Sequence, residues 1–414
     1  MLQRWLSFTD EPTADDPYFL YAASNTGSLL VLVAYPLLIE VFLGADAQAD
    51  WWTWGFGMFV VAIALCAWVL WREYSPEKKD LEKQRERRDS SPESTRAKGS
   101  PTWGSRAKWV LYAFIPSSLM LGVTSFITTD IAAVPLMWII PFVLYLLTYI
   151  AAFSRREIVP HRIFVWLLPV LLVPMIPFFN QSVDISAWII MPYHLVTFFV
   201  IARVYHGEMA NSAPAASHLT EFYFWLSLGG ALGGVFNALV APVVFDRLLE
   251  YPIVLIVAGL ALPAVSMKSL RIRLVPSIYV GVAGLFVTAT IAFFATGQEF
   301  DTGFGAAIAI YAGVVYSVFV ASKWPRVFGV MFLATGIIAV VLSIQGKDEI
   351  YVERSFFGSN SVVEWGDLRV MYNGVIKHGA QITEEGYQDQ AMTYYSKGSP
   401  VHQAFQTVNE AEEP

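Results

Sequence analysis

Residues 203–242 read RVYHGEMANSAPAASHLTEFYFWLSLGGALGGVFNALVAP, and this stretch decides the fold. Its second part, from Leu219 onward, is an apolar run long enough to cross the ~30 Å hydrocarbon core of a bilayer. Its first part ends in a short polar turn that carries two histidines and two glutamates. A polar turn between two apolar helices predicts a membrane protein with ionisable groups near the membrane surface.

The composition of the whole chain agrees with this interpretation. Of the 414 residues, 56% are hydrophobic and 15% are charged, and the mean hydropathy is +0.50. A soluble protein has roughly 25% charged residues. We therefore predict a mainly α-helical, polytopic membrane bundle that has the lipid bilayer as its first partner. The net charge of −7 gives no indication of a nucleic-acid partner, and a single cysteine, Cys66, leaves no disulfide framework or thiolate metal site in this sequence.

The apolar runs predict about eleven membrane helices. Tryptophan and tyrosine cluster at the ends of the runs, where amphipathic rings settle at the level of the lipid headgroups. An acidic segment precedes the first run, which predicts that no signal peptide is present. The predicted helices lie near residues 19–43, 51–71, 108–127, 132–153, 163–179, 186–205, 219–245, 252–267, 276–296, 303–321 and 327–345.

The distribution of lysine and arginine predicts the orientation. Residues 72–108 contain eleven of them, and the loops 154–162, 268–273 and 323–326 contain three, three and two, whereas the alternate short loops contain only Arg247. Because basic short loops stay in the cytoplasm, we expect a cytoplasmic N-terminus in a bacterial inner membrane. The odd number of helices then predicts an outer location for the C-terminal segment.

Charge and composition divide the chain into four predicted parts. Residues 72–107 alternate in charge and then become rich in serine, proline and glycine, which is typical of a solvated linker. This linker separates an N-terminal helical pair (1–71) from a nine-helix bundle (108–346). A small β-rich segment (347–414) follows the bundle.

The β-rich segment shows alternating apolar and polar positions from residue 350 to residue 381. Asn373-Gly374 is a typical hairpin turn signal, so we predict three or four strands. The chain is predicted to end in a frayed tail, Asn409–Pro414. A sheet this small needs another surface to pack on, which could include a protein partner.

The polar turn holds the main candidate site: His206, Glu208, His218 and Glu221. Two histidines and two glutamates could bind a metal ion or relay protons. Their spacing matches no recognised ligand motif, so the sequence indicates neither a particular metal nor a cofactor. The alternative is a helix start, in which Ser217 or Thr220 caps the helix and Glu221 favours its positive end.

Three further polar residues at predicted membrane depth are candidates, because an ionisable or polar group there is costly unless paired or hydrated. Asn25 lies early in the first helix. Asp130 lies at the turn after the third helix and could instead cap the next helix. His194 lies within a helix and could instead form a hydrogen bond inside the bundle.

The glycines of the long helix predict close packing against another helix. Small residues four apart allow two helix backbones to approach each other. A phosphate-binding loop is not expected, because the glycines lie deep in an apolar helix and do not follow a strand. The residues are Gly229, Gly230, Gly233 and Gly234, with Asn237 on the face of Gly230 and Gly233.

Several long segments resemble a known family, the bacterial membrane proteins described as fused major-facilitator/spermidine synthase-like. The resemblance covers most of residues 15–405, and it is carried by DPYFLYAASNTGSLLVLVAYPLLIE, SSLMLGVTSFITTDIAAVPLMWIIPFVLYLLTYI, HGEMANSAPAASHLTEFYFWLSLGGALGGVFNAL and ERSFFG. It implies a polytopic membrane part followed by an aminopropyltransferase-like domain. Residues 350–405 are then similar to the small sheet that precedes the S-adenosyl-binding Rossmann domain in such enzymes.

The sequence departs from this family where catalysis would take place. After Gln406 there is no G-x-G-x-G strand-turn-helix, and no acidic residue is positioned for a ribose. Aminopropyl transfer needs a bound sulfonium cofactor and an amine held together, so no catalytic residue can be assigned by the resemblance.

Three functions follow as hypotheses. The first is a non-catalytic membrane subunit or arm of a spermidine synthase-like protein that anchors or gates a partner on the C-terminal sheet. The second is a transporter of a small polar or cationic solute. The third is a structural subunit of a larger membrane complex that uses the glycine surface.

Overall fold

The computed structural model describes most of the chain, and the statements below concern the described residues. These are residues 18–73, 101–131, 136–154, 157, 159–180, 187–215, 218–263, 320, 324–345, 349–356, 358–374, 376–390 and 392–412.

Nine apolar helices, a sheet and a C-terminal helix are the main elements of the described residues. The helices are α1 (Phe19–Ala34), α2 (Ala45–Glu73), α3 (Trp103–Phe126), α4 (Ile139–Phe153), α5 (His161–Leu172), α6 (Ala187–Asn211), α7 (Leu219–Val235), α8 (Glu250–Leu260) and α9 (Pro325–Gln345). Wider π turns extend α1 through Ile39 and α3 through Ile131, and α7 continues through a π turn and a short helix to Val244. A 3₁₀ segment, Val173–Asn180, extends α5.

Five of these helices, with their extensions, are long and apolar enough to cross a membrane, and four shorter helices are also apolar. The five are Phe19–Phe42, Ala45–Val69, Trp103–Thr129, Ala187–Asn211 and Leu219–Val244. Membrane association is therefore supported, but the eleven predicted spans are not confirmed. The predicted spans 276–296 and 303–321, apart from residue 320, lie outside the described residues.

The chain forms two compact units. The first comprises Met1–Pro116, Ile139–His161 and Ala202–Ala231, and the second comprises the remaining residues. In the first unit α1 packs against α4. Its core is rich in aromatic rings, with Trp109, Tyr149, Phe153 and Phe222 buried together. The tyrosines of this core bring polar hydroxyl groups into it.

In the second unit α8 packs closely against α9. A Cβ atom on Gly259 would come within 2.5 Å of the Phe332 ring, and one on Gly329 within 2.8 Å of the Leu260 backbone. Glycine at both positions therefore allows the two helices to approach each other.

The C-terminal sheet is antiparallel, with the order β1 (Glu349–Ser355), β2 (Gly358–Trp365), β3 (Leu368–Asn373) and β4 (Ile376–Ile382). The hairpin predicted at Asn373-Gly374 is confirmed: it joins β3 to β4, and Gly374 has a φ of +58°. The predicted frayed tail differs from the structure, in which helix α10 runs from Pro400 to Glu412.

The two faces of the sheet differ in what they contact. The pairings put Arg354, Ser359 and Val370 on one face, and Val370 is buried. The opposite face carries Tyr351, Val362 and Met371 beside the ion pair of Glu364 and Arg369. On this second face, the one opposite Arg354, the Tyr351 hydroxyl donates to the Glu353 carboxylate, which raises the pKa of Tyr351.

Candidate functional site

The most deeply buried of the predicted site residues is His206, on α6, which is fully buried in the first unit. Its ring stacks on Tyr149, with 3.7 Å between ring centroids, and lies edge-on to Tyr145. Its Nδ1 lies 2.9 Å from the Thr148 hydroxyl oxygen, and that hydroxyl donates its single proton to the Tyr145 carbonyl. The other ring nitrogen of His206, Nε2, is buried and has no hydrogen-bond partner among the described residues.

His206 belongs to a larger polar cluster of tyrosines, here called the tyrosine cluster: Tyr21, Tyr145, Tyr149 and His206. The Tyr149 ring packs edge-on against the rings of Tyr21 and Tyr145, with 5.4 and 5.1 Å between centroids. The Asn25 amide donates to the Tyr21 carbonyl in the preceding turn. The structure thus brings together two of the predicted residues, Asn25 and His206, through tyrosines that the sequence analysis did not select.

Glu208 follows His206 on α6 but has a different partner. Its carboxylate lies 2.8 Å from Nε2 of His161, the first residue of α5. The neighbouring Gly207 leaves space for this contact, because a Cβ there would overlap with the His161 ring and the Arg203 guanidinium. The His161 backbone N–H donates to the Glu157 carboxylate, which satisfies one free donor at the start of α5.

The polar turn after α6 is held by hydrogen bonds within the first unit. The Trp109 indole N–H donates to the Ser212 hydroxyl, and the Tyr18 hydroxyl donates to the Pro214 carbonyl. Both rings belong to the aromatic core, so the turn is fixed in position although its own residues are mostly small.

Glu221 at the start of α7 forms an ion pair with Arg106 of α3, at 2.5 Å. The Arg106 guanidinium also lies over the Trp103 ring, 4.7 Å from its centroid. His218 is 3.4 Å from the other carboxylate oxygen of Glu221. Glu221 thus lies at the positive end of a helix and beside a cation, an arrangement that stabilises the helix start without any ligand.

The four-residue cluster is therefore divided: His206 packs among the tyrosines, Glu208 pairs with His161, and Glu221 pairs with Arg106 and also faces His218. Among the described residues no three histidine, cysteine or acidic side chains are grouped as metal ligands. The arrangement gives no support to a metal centre in the described part of the chain.

His194 lies in the second unit. Its Nδ1 is 2.8 Å from the Tyr251 hydroxyl, and its ring stacks on Phe126 at 4.5 Å between centroids. Asp130 lies in the π turn after α3, and its side chain is outside the described residues.

The glycines of α7 have different surroundings. A Cβ on Gly229 would overlap with the Val110 carbonyl and contact Ala113 of α3, whereas one on Gly230 or Gly234 would meet nothing within 4 Å. The Gly233 carbonyl accepts a hydrogen bond from Asn237, whose amide also donates to the Ser118 hydroxyl.

A second polar group, which the sequence analysis missed, attaches the sheet to the helices of its own unit. Arg354 of β1 donates twice to the Glu250 carboxylate of α8, at 2.6 and 2.8 Å, and once to the Arg247 carbonyl. Both side chains are buried, with 6% and 2% exposed. Arg247 forms an ion pair with Glu349, and the Ser359 hydroxyl donates to the Asp246 carbonyl. The only signal in the sequence was Arg247, the single basic residue of the alternate loops.

The sheet also touches the end of α3 through its β3–β4 hairpin. A Cβ on Gly374 would come within 2.5 Å of the Thr129 carbonyl oxygen. The face that carries Arg354 thus contacts Asp246 and Arg247, which follow the membrane-length helix that ends at Val244. The hairpin contacts Thr129, the last residue of the membrane-length span Trp103–Thr129.

Comparisons with known families, with curated proteins and with solved structures find no match for this chain. The class of protein defined by the fold is a mainly helical chain with membrane-length helices and a small antiparallel sheet fixed to them.

Proposed function

We propose that this chain is a membrane arm that holds its C-terminal sheet in a fixed position as a docking platform for a partner. The observation that carries the proposal is the paired attachment of Arg354 to Glu250 and of Arg247 to Glu349. Burying charges is costly, and a bidentate pair repays that cost in one geometry only. Such a contact defines the position of the sheet more sharply than apolar packing would.

The resemblance to spermidine synthase-like proteins is consistent with this role, since their small sheet precedes a catalytic domain. The proposed role is anchoring or positioning.

The proposal includes the side of the membrane. The basic linker 72–107 is expected to be cytoplasmic, and α3 begins at Trp103, directly after it. Thr129 lies at the other end of this single span, and it is the residue that Gly374 contacts. Asp246, which accepts from Ser359, follows the far end of the span Leu219–Val244. Two separate helices therefore support an outer location of the sheet, and neither argument depends on the number of spans between residues 263 and 324.

An outer location changes what the partner can do. S-adenosyl cofactors are normally supplied from the cytoplasm, so a partner on this sheet is not expected to use one. This is where the proposed protein would differ from the enzymes that it resembles.

Site-specific photo-crosslinking tests the platform. A benzophenone amino acid at Met371, on the face of the sheet opposite Arg354, should yield one protein adduct that mass spectrometry identifies. The same probe at Val243 is the matched control and should yield lipid adducts only. Val243 is an exposed apolar residue at the C-terminal end of the span Leu219–Val244. The Met371 adduct should disappear in Arg354→Glu and return in the exchange Arg354→Glu/Glu250→Arg. Identical adducts from both positions, or an adduct that is indifferent to Arg354→Glu, would contradict the proposal.

A second candidate, a proton-coupled transporter of a small polar or cationic solute, is favoured by the tyrosine cluster. A buried histidine that packs between tyrosine rings and has an unpartnered Nε2 is the kind of ionisable group at membrane depth that transporters use as a relay. Uptake into proteoliposomes that is lost in His206→Gln and retained in His218→Gln would favour this function. An absence of uptake across amines, amino acids and inorganic cations would count against it.

A further inference from the structure

A cavity of about 540 Å³ opens between α3 and α7 in the first unit. Its floor and walls are apolar, formed mainly by Val110, Phe114 and Leu228. Three residues lie at one end: Trp103, Arg106 and Trp225. The volume is within the range of small-ligand sites, roughly 300–1,000 Å³, but the cavity is open along one side and so suits a ligand that is itself embedded in the membrane.

The polar end of this groove lies at the expected membrane surface. Trp103 is 73% exposed and packs edge-on against Trp225, at 6.0 Å between centroids. Tryptophan rings favour the level of the lipid headgroups. From Arg106 to Phe114 the helix rises about 12 Å toward the membrane interior, so the groove follows the direction of a lipid chain.

Arg106 has unused hydrogen-bonding capacity. Its Nε donates to Glu221, and its two terminal nitrogens form no hydrogen bond within the described residues. A guanidinium binds a phosphate group through such a pair of nitrogens. The adjacent Glu221 carboxylate, 28% exposed, can accept from an ammonium group at the same time. The pair is therefore complementary to a headgroup that carries one phosphate and one primary amine.

We propose that this groove binds a phospholipid of the cytoplasmic leaflet, with an acyl chain along Val110 and Phe114, the phosphate on Arg106 and a headgroup amine against Glu221. The expected ligand class is an aminophospholipid such as phosphatidylethanolamine. The site does not involve the C-terminal sheet, so the proposal is independent of the platform function.

Native mass spectrometry of the full chain tests this site, after purification in detergent and addition of equal amounts of phosphatidylethanolamine and phosphatidylglycerol. The natural sequence should retain phosphatidylethanolamine in preference to phosphatidylglycerol. Leu111→Trp, which fills the groove, should reduce the retained lipid about tenfold. Leu232→Trp is the control, since Leu232 is an exposed leucine of α7 that does not line the groove.

Two additions keep the outcome decisive. Ala107→Phe fills the groove from the preceding turn of α3. It replaces Leu111→Trp if thermal unfolding shows that Leu111→Trp does not fold. Inorganic phosphate in excess should leave the lipid bound. Equal lipid retention in Leu111→Trp and Leu232→Trp, a preference for phosphatidylglycerol, or displacement by inorganic phosphate would each overturn the proposal.

Discussion

At the scale of single residues, the account depends on Arg354 and Glu250. Two buried charges contribute little net stability as a pair, because their desolvation offsets most of their attraction. Removal of one partner is different, since it leaves the other buried without compensation. The pair therefore selects one position of the sheet more than it stabilises the sheet, which is the property that a docking platform requires.

Arg354→Glu should lower the stability of the sheet attachment by about 3–5 kcal/mol, because it puts two carboxylates together in a buried place. Limited proteolysis of the purified protein measures this as faster cleavage after residue 345. The exchange Arg354→Glu/Glu250→Arg should recover most of the protection. Arg369→Glu is the control: its partner Glu364 is exposed, so a change of only about 0–1 kcal/mol is expected. Equal effects of Arg354→Glu and Arg369→Glu would argue against a special role for the buried pair.

At the scale of elements, the β3–β4 hairpin combines two requirements at one glycine. Gly374 has a positive φ, and its Cα faces the Thr129 backbone with no space for a side chain. Gly366, in the turn between β2 and β3, has nearly the same φ of +56° but open space around it. A comparison of substitutions at the two glycines therefore distinguishes the cost of a strained backbone from the cost of losing the contact with the end of α3.

Gly374→Ala should destabilise the protein more than Gly366→Ala, although both incur about 1 kcal/mol for a left-handed backbone at a residue with a side chain. The additional loss of stability in Gly374→Ala comes from the lost contact with Thr129. Thermal unfolding of the two variants side by side measures this difference. If the two variants melt at the same temperature, the hairpin does not pack on the end of α3.

The glycines of α7 allow a similar comparison. Gly229 packs against the α3 backbone, whereas Gly234 faces open space. Gly229→Ala should cost about 1–3 kcal/mol through overpacking, and Gly234→Ala should be neutral or stabilising, since alanine is favoured over glycine in a helix by about 1 kcal/mol. Equal tolerance of both substitutions would contradict the packing of α7 on α3 described above.

At the scale of the whole molecule, hydrophobicity and turn chemistry were readable from the sequence, but partners across the fold were not. Apolar runs predicted the helices near Phe19, Trp109 and Leu219, and Asn373-Gly374 predicted the hairpin. Both signals are local. The division of His206, Glu208 and Glu221 among separate partners depends on Tyr149, His161 and Arg106, each more than 45 positions away. No spacing rule along one helix could reveal these contacts, and the same holds for Arg354 and Glu250.

The central claim is that the sheet is fixed at the outer end of the membrane-spanning helices. It is tested most directly by labelling intact cells with a membrane-impermeant maleimide, in a Cys66→Ser background that removes the single native cysteine. One variant carries Glu364→Cys on the exposed face of the sheet, and the matched control carries Ser91→Cys in the basic linker. The account predicts labelling of Glu364→Cys in intact cells, and labelling of Ser91→Cys only after the cells are permeabilised. Labelling of Ser91→Cys but not Glu364→Cys in intact cells, or the same behaviour of both, would contradict it.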